Sequence, residues 1–381
     1  MKITKIHIEK FRGFQNEDFE LGSQLTAIAG QNGTQKSTLL GIVTQTFTLK
    51  SDDPMRAEKP LCGGSYISAF KDKFRLSPTF DKPKGHEWTI SFDSGIADFT
   101  VESIKRTGDP NVRFWKKGAR QEGDGYISFP TIFLSLKRLV PAAEESKIIT
   151  NDSLLTAEEL NEFKQLHNKI LIAQTPISSA TAITSKNKQS VGVSTGLYDW
   201  NQNSMGQDNL GKIILALFSF KRLQDKYPGQ YKGGILAIDE MDATMYPASQ
   251  VELLKVLRKY ASKLKLQILF TTHSMSLLKA MDDLVKEVGK QTETTNQVKL
   301  LYLKKIDDKI VIKQNVDIKG IQLDLNVVAE GNNRKKNKIT VYTEDNENKL
   351  FVKAILKSKA SVLDFVDVTL PCSTLVELVN K

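Results

Sequence analysis

The sequence predicts an α/β fold: a mixed β lobe, a parallel sheet with helices on both faces, and a helical subdomain. Three observations carry that expectation. From about residue 205 onward, apolar runs of strand length alternate with amphipathic stretches of helix length. Two of those runs, GGILAIDE and LQILFTTH, lack polar alternation, as strands buried on both faces do. Between about residues 51 and 130, short alternating stretches are separated by Gly, Pro and Asp clusters, the pattern of an antiparallel meander inserted in the first half.

The elements follow in order. In the opening ITKIHIE, Ile3, Ile6 and Ile8 give a half-buried strand. After FRGFQNEDFELGS a second short strand, LTAIA, runs into a glycine-rich turn, and STLLGIVTQTF then reads as a helix. WTISF, ADFTVESI and NVRFW are the strands of the meander, and TIFLSL is a further apolar run. NDSLLTAEELNEFKQLHNKILIAQ is helical, with Thr156 and Glu159 spaced for a capping box, and residues 151–205 are expected to form a helical subdomain. GKIILALFSFKRLQDKY and ASQVELLKVLRKYASKL are the helices that alternate with the two buried strands. QTETTNQ reads as a loop and EGNNRKKNK as a linker, which divides a main domain of residues 1–330 from a small unit at 338–381. No internal repeat is visible.

Composition narrows the function classes. A chain of 381 residues can bury a sizeable core, and 40% hydrophobic with 26% charged residues excludes wholesale disorder. No apolar run approaches the roughly 18 to 20 residues of a spanning helix, and the N-terminus has no signal-peptide pattern, so a cytoplasmic protein without a membrane segment is expected. Cys62 and Cys372 stand far apart without metal-ligand spacing, and both are expected to be buried thiols. The 54 basic and 44 acidic residues leave a net charge of +10. That excess fits nucleic-acid binding and equally fits a lysine-rich solvated surface.

Four segments carry chemistry. GQNGTQKST, Gly30 to Thr38, lies between a strand and a helix, where backbone N–H groups can wrap a polyphosphate, Lys36 can reach the β and γ phosphates and Ser37 can bind Mg²⁺. The strict pattern has Gly where this chain has Gln35, which puts a bulky side chain where backbone and ligand approach closely. GGILAIDEMDATMYP ends a buried strand in two carboxylates: Asp239 suits an Mg²⁺ water shell, and Glu240 suits orienting and deprotonating an attacking water. QILFTTHSM repeats the layout and ends in His273, able to hydrogen-bond a γ-phosphate or the attacking water. In NSMGQDNLGKIILAL, Ser204 and Gly206 precede a helix whose first N–H groups are open to another phosphate. Taken singly, these could be a turn before a helix, an acidic strand end, an edge histidine and a helix cap. Together they keep an order: Gly206 lies 33 residues before Asp239, and His273 lies 34 after it.

In that order and on those elements, residues 1 to about 305 resemble an ABC-type ATPase head of the branch that includes RecF, SMC-like heads and the OLD (overcoming lysogenization defect) family ATPases. The resemblance implies that Gly30, Asn32, Gly33, Thr34, Gln35, Lys36, Ser37 and Thr38 form the Walker A loop. It makes Asp239 and Glu240 the Walker B pair with Glu240 catalytic, DATMYP the D-loop, and His273 the switch histidine. NSMGQ is similar to the ABC signature through Ser204, Gly206 and Gln207, with Asn203 in place of the usual leucine. FRGF resembles the early Phe-Arg of these heads, where an arginine such as Arg12 contacts nucleotide. A Q-loop glutamine is missing after TIFLSL, and either Arg138 or Gln45 could take its place.

Heads of this type bind ATP and Mg²⁺ between two copies, so a homodimer or higher oligomer is implied, with DNA and a partner nuclease as further partners. The segment ITVYTEDNENKLFVKAIL with VLDFVDVTL and TLVELVNK resembles the first half of a Toprim domain. Glu344 stands at the metal-binding glutamate position and no later Asp-x-Asp is present. An exposed acidic turn explains Glu344 equally well. The preferred function is an ATP-hydrolysing head of an OLD-like antiphage-defence system gating a nuclease in cis or in a partner. The alternatives are a RecF- or SMC-like DNA-repair ATPase and an assembly scaffold in which Gln35 slows hydrolysis.

Overall fold

The computed structural model describes residues 1–67, 73–93, 95–105, 112–118, 124–140, 147–151, 154–173, 175–185, 189–289, 296–314, 316–329, 339–369, 371 and 373–374. Cys372, most of TLVELVNK, the linker EGNNRKKNK and most of the QTETTNQ loop lie outside the described residues. Two units are present, Met1–Ile321 and Gln322–Lys381.

In the first unit the strands are β1 (Ile3–Phe11), β2 (Phe14–Glu20), β3 (Leu25–Gly30), β4 (Phe47–Thr48), β5 (Glu87–Phe92), β6 (Phe99–Lys105), β7 (Val112–Lys116), β8 (Ile127–Ser128), β9 (Thr131–Leu134), β10 (Ile149–Asn151), β11 (Ile177–Thr184), β12 (Gln189–Thr195), β13 (Gly234–Ile238), β14 (Leu266–Thr272), β15 (Val298–Ile306) and β16 (Lys309–Gln314). The helices are α1 (Lys36–Gln45), α2 (Ala157–Leu171), α3 (Met205–Lys226), α4 (Pro247–Lys263), α5 (Met275–Gly289) and α6 (Ile318–Ala329), the last running on into the second unit.

The central sheet has the order β16-β15-β3-β14-β13-β9, all parallel except the edge strand β16. Every residue of β3, β13 and β14 is buried, as strands with both faces covered must be. Parallel order brings the carboxyl ends of β3, β13 and β14 to one edge, and the loops that leave them build the site.

A second, antiparallel sheet of order β2-β1-β5-β6-β7 contains the meander. It is continuous with the opening hairpin, because β5 pairs with β1, so the meander completes a sheet that β1 and β2 begin. The aromatic cluster Phe11, Phe74, Trp88 and Phe114 belongs to the core between this sheet and α1.

The segment expected to be a helical subdomain is only partly helical. Helix α2 has the anticipated capping box: Thr156 Oγ1 accepts from the Glu159 amide at 3.2 Å, and Glu159 returns a carboxylate to the Thr156 amide at 2.9 Å. Beyond it, ISSATAIT and QSVGVST form the hairpin β11–β12, and β10 joins it as a third strand. Small and β-branched residues at alternate positions favour strand pairing there over a second helix.

The second unit contains β17 (Ile339–Thr343), α7 (Asn346–Leu356) and β18 (Leu363–Thr369), the two strands being parallel. Among the described residues no helix is long and apolar enough to cross a membrane.

Candidate nucleotide site

The loop between β3 and α1 is shaped by two glycines with positive φ, Gly30 at 150° and Gly33 at 82°. A Cβ on Gly30 would lie 2.5 Å from the Leu303 carbonyl oxygen, so the position accepts only glycine. Thr34 closes the turn by donating to the Gln31 carbonyl at 2.8 Å. Gln35 is the residue before α1 and is left-handed, φ 62° and ψ 31°, which explains why glycine is usual there. Its side chain is turned toward the β1–β2 turn, where its Oε1 accepts from the Gly13 amide at 3.4 Å.

Lys36 is buried, and its Nζ donates to the carbonyls of Gly30 at 3.0 Å and Gln31 at 2.9 Å. Burial lowers its pKa, against the opposing charges of Glu240, Asp239 and Asp242. Asn32, Gly33 and Ser37 are exposed, whereas Thr34 and Thr38 are buried.

Ser37 joins this loop to the end of β13, 202 residues away, donating to Asp239 at 2.9 and 2.8 Å. Asp239 also accepts from Thr271 Oγ1 at 2.7 Å, and Thr271 Oγ1 accepts in turn from the Glu240 amide at 2.6 Å. Thr271 was not singled out from the sequence. Its signal is two threonines ending a buried strand directly after the apolar run Ile268–Phe270, where a hydroxyl has a partner to serve. Glu240 is itself left-handed, φ 49°. His273 follows β14 and is exposed. Burial is still the first cause of its lowered pKa, with the Lys36 charge second, while Asp242, Glu240 and Asp239 act in the opposite sense.

Of the two replacements considered for the Q-loop glutamine, the structure brings Arg138 to the site. Its Nη2 donates to the Glu240 carbonyl at 2.8 Å and its Nε to Asn209 Oδ1 at 2.7 Å. Gln45 is buried at the far end of α1, about 14 Å along the helix axis from Lys36 at ~1.5 Å per residue.

Arg12 reaches the site's rim. Its Nη1 donates to Thr38 Oγ1 at 3.3 Å, while Nε and Nη2 hold buried Asp81 at 3.0 and 2.9 Å. Asp81, which sequence reasoning missed, also accepts from the Ser77 amide at 2.7 Å and pairs with His86 Nε2 at 3.0 Å.

Ser204 and Gln207 form a capping box at the start of α3, and Gln207 Nε2 donates to the Tyr198 hydroxyl at 2.7 Å. Gly206 packs on the segment after β13: a Cβ there would come within 2.5 Å of the Thr244 carbonyl oxygen. Ser204 and Gln207 hydrogen-bond with each other, and Ser204 also accepts through its carbonyl from the Asp208 amide.

In the second unit Glu344 is exposed after β17, and the neighbouring Asp345 caps α7 through the Asn348 amide at 2.7 Å. Among the described residues no group of three or more His, Cys, Asp or Glu side chains is arranged to hold a metal ion.

The family profile of the AAA ATPase domain matches residues 1–190 and 128–278. The chain belongs to this AAA ATPase domain family. No curated protein sequence matches the chain. Among solved structures, the chain is similar to the SMC head domain from Thermotoga maritima, at 14% identity over 83% of this chain and 100% of that one, with a TM-score of 0.45. It is also similar to the Smc head domain with a coiled coil and joint from Pyrococcus yayanosii, at 10% identity over 86% and 99%, TM-score 0.48. A third similarity is to the recombination mediator protein RecF with ATP, at 11% identity over 83% and 98%, TM-score 0.40.

Proposed function

We propose that this AAA-family ATPase binds ATP with Mg²⁺ in the loop Gly30–Thr38 and hydrolyses it in a dimer, the loop of one copy facing Ser204, Gly206 and Gln207 of the other. The observation that carries the reading is the meeting of Ser37 and Asp239. A hydroxyl and a carboxylate, from segments 202 residues apart, converge beside a lysine at a helix N-terminus. That donor pair suits Mg²⁺, which takes one or two protein oxygens and completes its shell with water and phosphate. When bound, the ion neutralises charge on the β and γ phosphates.

The protein's own groups do the rest. Lys36 exchanges its two loop carbonyls for phosphate oxygens, and the positive end of α1 adds to the attraction. Glu240 orients a water and takes its proton as the water oxygen attacks the γ-phosphorus and the bond to the β–γ bridging oxygen breaks, leaving ADP and phosphate. His273 hydrogen-bonds the γ-phosphate and registers its loss. Arg12 contacts the nucleotide from the rim beside Thr38.

ATP closes the dimer and hydrolysis opens it, and in an OLD-like antiphage-defence system that cycle would gate a nuclease in cis or in a partner. The strand–helix–strand order of the second unit, with Glu344 after β17, supports a Toprim-like part of that system. The net charge of +10 favours a second reading, a RecF- or SMC-like ATPase acting on DNA in repair.

Calorimetry with ATP and Mg²⁺ on the wild-type chain and Lys36→Ala tests the nucleotide site: binding by the first and loss in the second is expected, and no binding by the wild type refutes it. Nuclease assays with Mg²⁺ or Mn²⁺, with and without neighbouring gene products, separate the two biological readings. Metal-dependent cleavage supports the defence effector, whereas ATP-dependent DNA binding without cleavage supports repair.

A further inference from the structure

We infer that Arg138 and Asn209 are positioning residues that tie the signature helix α3 to the backbone of Glu240 in the same subunit. Engagement of α3 by a nucleotide held on the partner subunit would thereby bear on the carboxylate that serves the subunit's own nucleotide. The inference rests on the ATP-sandwiched dimer proposed above.

Arg138 lies in the 3-10 turn Leu136–Leu139 after β9 and is 2% exposed. Its hydrogen-bond partners among the described residues are neutral: Asn209 Oδ1 and the carbonyls of Leu134, Ser135 and Glu240, at 2.7, 3.2, 3.1 and 2.8 Å. Burying a guanidinium is costly where an apolar side chain could fill the space, and although the nearby charges of Asp239, Glu240 and Asp242 offset part of that cost, the hydrogen bonds themselves go to neutral acceptors. What the arrangement supplies is a rigid fork with fixed directions. One direction ends on the Glu240 carbonyl and another on Asn209.

Asn209 is completely buried on α3, five residues beyond Ser204, which is about 7.5 Å along the helix. Its single amide serves two neighbours: Oδ1 accepts from Arg138, and Nδ2 donates to the Ala243 carbonyl at 2.9 Å in the D-loop segment. Glu240 is thus held at both ends of its left-handed residue, its N–H by Thr271 and its C=O by Arg138. A non-glycine residue keeps such a backbone only where its surroundings over-determine it. A small displacement at the start of α3 moves Asn209 with the helix, and Asn209 carries with it Arg138 and Ala243, both of which donate to the Glu240 carbonyl, at 2.8 and 3.1 Å.

The test uses the full chain. Asn209→Leu and Arg138→Met should each lower kcat at least tenfold with ATP affinity within about twofold of wild type, and should bring the Hill coefficient for ATP from above 1 to 1. Arg138→Lys, which can still donate to the Glu240 carbonyl, should recover part of kcat but not the cooperativity. Asn209→Asp has nearly the same volume, keeps the acceptor for Arg138 and loses the donor to Ala243. It should fold as wild type, keep kcat within about threefold and still lose cooperativity, so the inference stays testable if Asn209→Leu fails to fold. Folded variants with wild-type kcat and Hill coefficient, or a wild-type coefficient of 1, would overturn it. If the wild type does not dimerise with ATP the underlying reading fails; if it does and the variants behave like wild type, only this coupling fails.

Discussion

Asp81 offers a quantitative test of how Arg12 is held at the rim of the site. Its side chain is 2% exposed, and burial, the largest influence on it, would raise its pKa. The Arg12 guanidinium, the Ser77 amide and His86 together outweigh burial and bring the value down from 3.8 to about 2. At ~1.4 kcal/mol per decade this difference favours the ionised folded state by about 2 kcal/mol. The sign follows from a depressed carboxylate: the contribution is full above pH 3.8, the unfolded value, and is lost as pH falls toward about 2. Asp81→Asn removes the charge and leaves Arg12 facing a neutral amide. The substitution should therefore cost about 2 kcal/mol at pH 7, lower Tm by roughly 3 °C, and flatten the acid side of the stability profile below pH 4. Thermal unfolding of the two proteins at pH 7 and at steps down to pH 3 measures all three effects. A variant within ~0.5 kcal/mol of wild type at pH 7, with the same acid dependence, would refute the reasoning.

Further expectations concern other parts of the first unit. Lys36→Met should weaken ATP binding by about 30- to 100-fold, the worth of ~2 to 3 kcal/mol in charge-assisted hydrogen bonds, as read by titration with a fluorescent nucleotide. Gln35→Gly should leave kcat within about twofold and raise stability by ~0.5 to 1 kcal/mol, because it relieves the left-handed residue and the side chain lies against the β1–β2 turn; a tenfold rise in turnover would show instead that Gln35 retards hydrolysis. His167 is buried on α2 with no hydrogen-bond partner for either ring nitrogen among the described residues, and burial lowers its pKa from 6.5 to about 4. Stability is therefore full above pH 6.5 and falls by up to about 3 kcal/mol between pH 6.5 and 4, where only the unfolded chain takes up the proton; His167→Phe should remove that slope from denaturation midpoints.

The strands β3, β13 and β14, the loops that leave them and the caps at Thr156 and Ser204 could be read in the sequence because each has a local signature, whereas β15 and β16 were not read. The largely apolar runs that became β13 and β14, the Thr156–Glu159 spacing and the glycines of the β3–α1 loop are each signals within a few residues. The pairing of β5 with β1 was not legible, since it joins segments about eighty residues apart that share only a generic alternation. The hairpin β11–β12 was hidden by the strong helical pattern of α2 beside it. At the site, the segments bearing phosphate and carboxylate chemistry were visible as motifs, but their supports were not. Thr271, Asn209 and Asp81 are ordinary polar residues whose roles arise only when the chain brings them to Asp239, Arg138 and Arg12. Gln35 is the reverse case, a departure from a motif that the sequence presents as an obstacle and the structure turns aside toward Gly13.

The proposed cycle depends on two copies closing on ATP, each lending Ser204 and Gly206 to the Gly30–Thr38 loop of the other. Light scattering of Glu240→Gln with ATP and Mg²⁺ tests it most directly, because the variant should bind ATP without consuming it. A species of twice the 42.7 kDa chain mass is expected with ATP, the chain mass without nucleotide, and no such species when Ser204→Arg is added. A chain that binds ATP and keeps the same mass, or a dimer indifferent to Ser204→Arg, would contradict it.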